Sequence, residues 1–184
     1  MKKTNILFIF EGKKDENKLF NKIFKLVKTE FFIKYNIITM ETHIHSLYDK
    51  LNNNQFQDLL TVLKESGTFS QKEQLKKFVV KDIAEIYLFF DLDPHDNLFD
   101  PEKINALLKF FNNETENGKL YINYPMLESF YHLININDID YKNRMIKIKD
   151  CINYKKIVND ENFIRKRYFL YSKSKCKKSK FYYM

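Results

Sequence analysis

Two nearly unbroken apolar runs, NILFIF at residues 5–10 and EIYLFF at 85–90, limit what this chain can become. Neither alternates apolar with polar residues, so neither can leave one face of a sheet in water. Runs of this kind read as strands covered on both faces, the usual state inside a parallel sheet. Parallel strands need long crossovers, and the intervening chain offers residues at helical spacing. From Asp15 onward Leu19, Phe20, Ile23, Phe24 and Val27 recur every three or four positions, with lysines between them.

The same reading extends along the chain. A second strand is expected within YNIITMET (35–42). Residues 44–80 read as helical pieces with Leu47, Leu51, Leu59, Leu60 and Leu63 toward the core, broken around ESGTFS. Pro101 is placed to open a helix carrying Ile104, Leu107, Leu108 and Phe111. Gly118 ends it, KLYINY (119–124) is a fourth strand, and Pro125 opens another helix, PMLESFYHLI. The order β-α-β-α-β-α-β-α predicts an α/β fold, a doubly wound, mostly parallel sheet of about four strands with helices on both faces. We assign residues 1–142 to this domain, with 44–80 as a helical connection, and 143–184 to a basic C-terminal extension. Within the extension RMIKIKD reads as a strand, ENFIRKRYFLY as a helix and SKSKCKKSKFYYM as a basic tail.

Charge separates the same two parts. The chain of 184 residues carries a net +8, yet Tyr141–Met184 holds 14 Lys and Arg against three acids, a net +11. Residues 1–140 hold 18 basic and 21 acidic residues, a net −3. All the excess positive charge lies in the last quarter, which suits a polyanion such as nucleic acid, or a plain solvated tail. Cys151 and Cys176 give neither a metal spacing nor a disulfide framework, as in a reducing cytosol. No apolar run approaches a membrane span and none reads as a signal peptide, so a soluble cytoplasmic protein with no membrane partner is expected.

Carboxylates gather where the apolar runs end. Glu11 follows the first run, with Gly12, one of only three glycines, and Lys13 behind it. Asp91 and Asp93 end the 85–90 run, followed by Pro94, His95 and Asp96. In open α/β sheets function collects at the carboxyl ends of the strands, and alternate residues of an extended segment point the same way. Glu11, Asp91 and Asp93 can therefore face one cation. Oxygen ligands without cysteine favour Mg²⁺ or Mn²⁺. Glu128, in the first turn after Pro125, is a candidate fourth ligand. Gly12 would let backbone approach a phosphate, with Lys13 and His95 beside it. Arg165, Lys166 and Arg167, interleaved with Tyr and Phe, would hold a nucleic-acid strand. Each has a plainer reading: Glu11 and Glu128 as helix-initiating acids, the aspartates as turn formers, His95 as a loop histidine. His43 and His45 form an H-x-H that gives only a weak metal signal.

Glu-Gly after a first buried strand, with Asp-x-Asp after a later one, resembles the Toprim domain of primases, topoisomerases and overcoming-lysogenization-defect nucleases. FEGKKDENKLF is similar to the opening of the small Toprim ribonucleases that mature ribosomal RNA. YPMLESF resembles the segment after the fourth strand in Toprim proteins of bacterial defence loci. The resemblance covers roughly residues 4–135. It implies Glu11 as metal ligand or general base, Asp91 and Asp93 as metal ligands, and a Mg²⁺- or Mn²⁺-dependent nuclease acting on DNA or RNA, in anti-phage defence or RNA processing. It leaves room for a separate ATPase chain and for a homo-oligomer. DPHD, without a glycine, departs from the primase and topoisomerase pattern. Two alternatives stand beside it: a non-catalytic nucleic-acid- or partner-binding module of the same fold, truncated or with a decayed site, and a haloacid-dehalogenase-like phosphatase. FFDLD resembles the nucleophile motif of the latter, but Pro94 stands where that family needs Thr or Val soon after.

Overall fold

The computed structural model describes residues 5–27, 34–77, 80–132 and 138–161. They fall into two compact units. The first runs to Leu92 and resumes over Asp96–Asn123; the second holds Asp93–His95 and the described residues from Tyr124 on.

In the first unit β1 (Asn5–Phe10), β2 (Lys34–Thr39), β3 (Ile83–Asp91), β4 (Asn112–Asn113) and β5 (Gly118–Asn123) form one sheet in the order β2-β1-β3-β5-β4. The pairs β1–β2, β1–β3 and β3–β5 are parallel. β4 is antiparallel to β5, a two-residue strand that no hydrophobic pattern announces. The two runs that open the sequence argument are thus immediate neighbours, with Phe10 opposite Phe89.

Side chains divide between the faces with the period of two that strands impose. Leu7, Ile9, Ile38, Leu88 and Phe90 enter one core with Leu47 and Leu51 of α2 (Ile44–Asn53) and Leu59 and Leu63 of α3 (Leu59–Ser66). Leu75 of α4 (Phe69–Lys76) and Ile104 and Leu107 of α5 (Pro101–Phe110) complete it. The opposite face is aromatic. Phe8, Phe10, Tyr87, Phe89 and Tyr121 lie ring against ring, and Phe20 of α1 (Asp15–Val27) rests on Phe8 at 4.4 Å. Helical residues therefore pack on both faces, while Tyr121 at the far end of the aromatic face stays half exposed.

Two helix starts are closed by side chains. Asp100 accepts from the Glu102 amide at 2.8 Å with Pro101 first in α5, and Thr68 and Gln71 form a capping box on α4. Residues of α4 also clamp the end of the edge strand. Gln74 Oε1 accepts from the Thr39 amide (2.9 Å), and Gln71 Nε2 donates to the Met40 carbonyl (2.7 Å). That clamp fixes where Glu41 to His43 leave the sheet.

The second unit differs from the expectation. Tyr124–Pro125 is a cis peptide, and a 3-10 helix over Leu127–His132 replaces the α-helix expected from Pro125. The hydrogen bonds give the reason. The Pro125 carbonyl accepts from the Asp93 amide at 3.0 Å, and the Ser129 amide turns to Met126 at 2.9 Å instead of reaching back four residues. The strand expected in RMIKIKD is absent: Arg144–Lys147 are irregular and Ile148–Cys151 form the short α6. α7 (Tyr154–Glu161) follows, and Tyr154 and Val158 pack with Met126. The helix expected in ENFIRKRYFLY, beyond Glu161, and the basic tail lie outside the described residues. No helix among those residues is long and apolar enough to cross a membrane.

Candidate metal centre

Glu11 leaves β1 between two neighbours that hold its backbone. Its amide donates to the Phe89 carbonyl of β3 (3.1 Å), and its carbonyl accepts from the Glu41 amide beyond β2 (2.7 Å). The side chain is only 14% exposed. Oε2 accepts from the Asp91 amide at 2.9 Å, and Oε1 lies 3.3 Å from His43 Nδ1. One oxygen is thus pinned by backbone, which aims the other.

His43 reaches this carboxylate because β2 and β1 are parallel neighbours, so their carboxyl ends adjoin. Glu41 takes a φ of 53°, turning the chain after β2, and His43 is the N-cap of α2. Its acidic partner is 32 positions away in sequence and next door in the sheet. The signal that could have found it is the topology: an H-x-H at the end of the strand beside the one that ends in Glu-Gly.

Asp91, the last residue of β3, shares the cluster through its amide. Its Oδ1 accepts from Asn123 Nδ2 of β5 at 3.0 Å. Alternation was expected to set Asp93 beside Asp91. Asp93 has a φ of 43°, however, so extended geometry ends before it and that reasoning does not reach it. Asp93 belongs to the second unit, where its amide meets Pro125. Glu128 is in the same unit, with Oε1 3.2 Å from Lys155 Nζ and Oε2 buried without a hydrogen bond.

The proposed phosphate contacts are differently engaged. The Gly12 amide donates to Glu16 Oε1 at 3.0 Å, and a Cβ at Gly12 would lie 2.6 Å from that atom. The glycine makes room for its own helix's first-turn acid. Lys13 Nζ lies 2.6 Å from Glu41 Oε1, both well exposed, an ion pair of little energetic weight. His95 is exposed in the turn after Pro94. Arg165, Lys166 and Arg167 lie outside the described residues.

One further histidine adjoins the cluster. His45, in the first turn of α2, is 1% exposed, and neither ring nitrogen has a hydrogen-bond partner. Burial pushes its pKa below the ordinary 6.5, with Asp96 opposing.

Chemically, Glu11 and His43 present oxygen and nitrogen donors at the end of a parallel sheet, with Asp91 fixed beside them. A carboxylate and an imidazole together suit Mn²⁺ or a later divalent ion better than Mg²⁺, which prefers oxygen alone. The donor set therefore fits a divalent cation, and the imidazole narrows which one. Comparison with protein-family models, with curated proteins and with solved structures found no match to this chain.

Proposed function

We propose that this chain is a metal-dependent nuclease of Toprim-like architecture that hydrolyses phosphodiester bonds in DNA or RNA. The observation that supports it is the Glu11 carboxylate, held by the Asp91 amide at 2.9 Å and facing His43 at 3.3 Å, where two neighbouring parallel strands end. The proposed ligands are Glu11 and His43, for Mn²⁺ or Mg²⁺. A cation bound there would make water a nucleophile at neutral pH and offset phosphoryl charge. The chain's own residues do the positioning. The Asp91 amide orients Glu11, Asn123 orients Asp91, and the Glu41 turn delivers His43. The basic residues Arg165, Lys166 and Arg167 would hold the strand electrostatically.

One contact favours a second reading. Asn123 already satisfies an oxygen of Asp91, as it would in a nucleic-acid-binding module that needs no metal. Incubating labelled DNA and RNA with the protein in Mn²⁺, Mg²⁺ or EDTA, with Glu11→Gln as control, separates the two. Cleavage that requires the ion and Glu11 supports the nuclease. Binding without cleavage in any ion supports the module.

A further inference from the structure

We propose that the N-terminus of α2, with the His45 imidazole beside it, is a binding site for a phosphoryl anion. It takes its substrate class from the phosphodiester reading, but its test needs neither metal nor catalysis.

The amides of Ile44, His45 and Ser46 open a ten-residue helix, and among the described residues none of them has an acceptor. The N-cap His43 makes no side-chain capping bond, and no acid stands in the first turn. Such groups normally meet water, but Ile44 and His45 are each 1% exposed. A buried helix end left this way is costly unless something accepts from it.

His45 is the independent observation. Helix side chains lean toward their own N-terminus, so a residue in the first turn covers the end where these amides lie open. Its ring is fixed edge-on to Phe99, with centroids 5.8 Å apart and planes at 88°. Both ring nitrogens lack partners. The nearby acids do not supply them: Asp96 Oδ1 accepts from the Leu98 amide and Asp100 Oδ1 from the Glu102 amide, each at 2.8 Å. A neutral imidazole carries one N–H donor. Three backbone donors, a ring donor and the positive end of a helix dipole ask for an anion, and oxygen atoms on phosphorus fit that geometry. α2 starts just beyond the carboxyl end of β2, and its N-cap His43 lies 3.3 Å from the Glu11 carboxylate. A phosphoryl group held there would stand beside the candidate metal centre.

The test is titration of the ¹⁵N-labelled full chain in EDTA, first with inorganic phosphate and then with the dinucleotide thymidylyl-thymidine, which has a single phosphodiester. Saturable amide shifts should be largest at Ile44, His45 and Ser46. Response to both ligands supports a backbone phosphate, and response to inorganic phosphate alone supports a free or terminal one. His45→Leu, which replaces an unpartnered buried ring with an apolar group, should melt at or above the parent temperature yet bind about tenfold more weakly. His45→Gln, which keeps a donor, should bind nearly as the parent does. Glu11→Gln should keep the response and strengthen it by removing a nearby negative charge, even where it abolishes metal binding. Shifts that are absent or scattered over surface lysines would overturn the proposal, as would unchanged affinity in His45→Leu.

Discussion

Glu11 is assigned two duties that different substitutions separate. Its Oε2 accepts from the Asp91 amide, and its Oε1 faces the proposed ion. Glu11→Ala removes both and leaves a partly buried amide without an acceptor, which costs about 1–2 kcal/mol at this degree of burial. Glu11→Gln keeps an amide oxygen for the Asp91 N–H and loses only the charge. For a chain of this length one kcal/mol is about 2–4 °C of melting temperature, so Glu11→Ala should melt about 2–8 °C below Glu11→Gln. The comparison is made in EDTA by circular dichroism, and repeated with Mn²⁺. The parent should gain about 2.7 kcal/mol of stability at a hundredfold excess of free ion over Kd, and neither variant should gain it. Equal melting of the two variants in EDTA would show that the Glu11–Asp91 bond contributes nothing. Stabilisation of both variants by Mn²⁺ equal to the parent's would show that Glu11 is not a ligand.

Asp91→Asn retains an acceptor for Asn123 while relieving repulsion among neighbouring carboxylates, so its metal-free melting temperature should equal or exceed the parent's, with a smaller gain on adding Mn²⁺. Gly118 has a φ of 116°, and a Cβ there would lie 2.7 Å from Leu88 Cδ1; Gly118→Ala should cost about 2–4 kcal/mol in urea denaturation. His45 has a folded pKa lowered from 6.5 by burial. Between that folded value and 6.5 only the unfolded chain binds the proton, so its contribution to stability is full above 6.5 and is lost as pH falls. In metal-free protein, His45→Leu should have a shallower loss of stability below pH 6.5 than the parent, and parallel pH profiles would contradict the buried neutral ring.

What the sequence made legible was whatever rests on local pattern. NILFIF and EIYLFF were readable as covered strands because nothing in them could face water. Pro101 announced α5, and the break around ESGTFS falls where α3 gives way to α4. The misses come from tertiary hydrogen bonds. Pro125 looks like a helix opener until its carbonyl is seen to accept from Asp93, and β4 exists only because Asn112 and Asn113 meet the start of β5. The site divides in the same way. Glu11 and Asp91 follow apolar runs and were visible at once. The part of His43 depends on β2 lying beside β1, and strand order is not written in any one segment. Asp93 shows the limit of an alternation rule, which holds only while φ stays extended.

Metal affinity probes the central claim most directly. Titrating the metal-free chain with Mn²⁺, with binding read by calorimetry, should give saturable binding that Glu11→Gln and His43→Ala each weaken by at least the roughly tenfold that loss of even a supporting outer partner costs. Because His43 supplies the nitrogen donor, His43→Ala should cost more affinity for Mn²⁺ than for Mg²⁺. No binding of either ion to the parent, or binding untouched by Glu11→Gln and His43→Ala, would contradict the account and leave Glu11 and His43 as an ordinary polar contact at the end of a sheet.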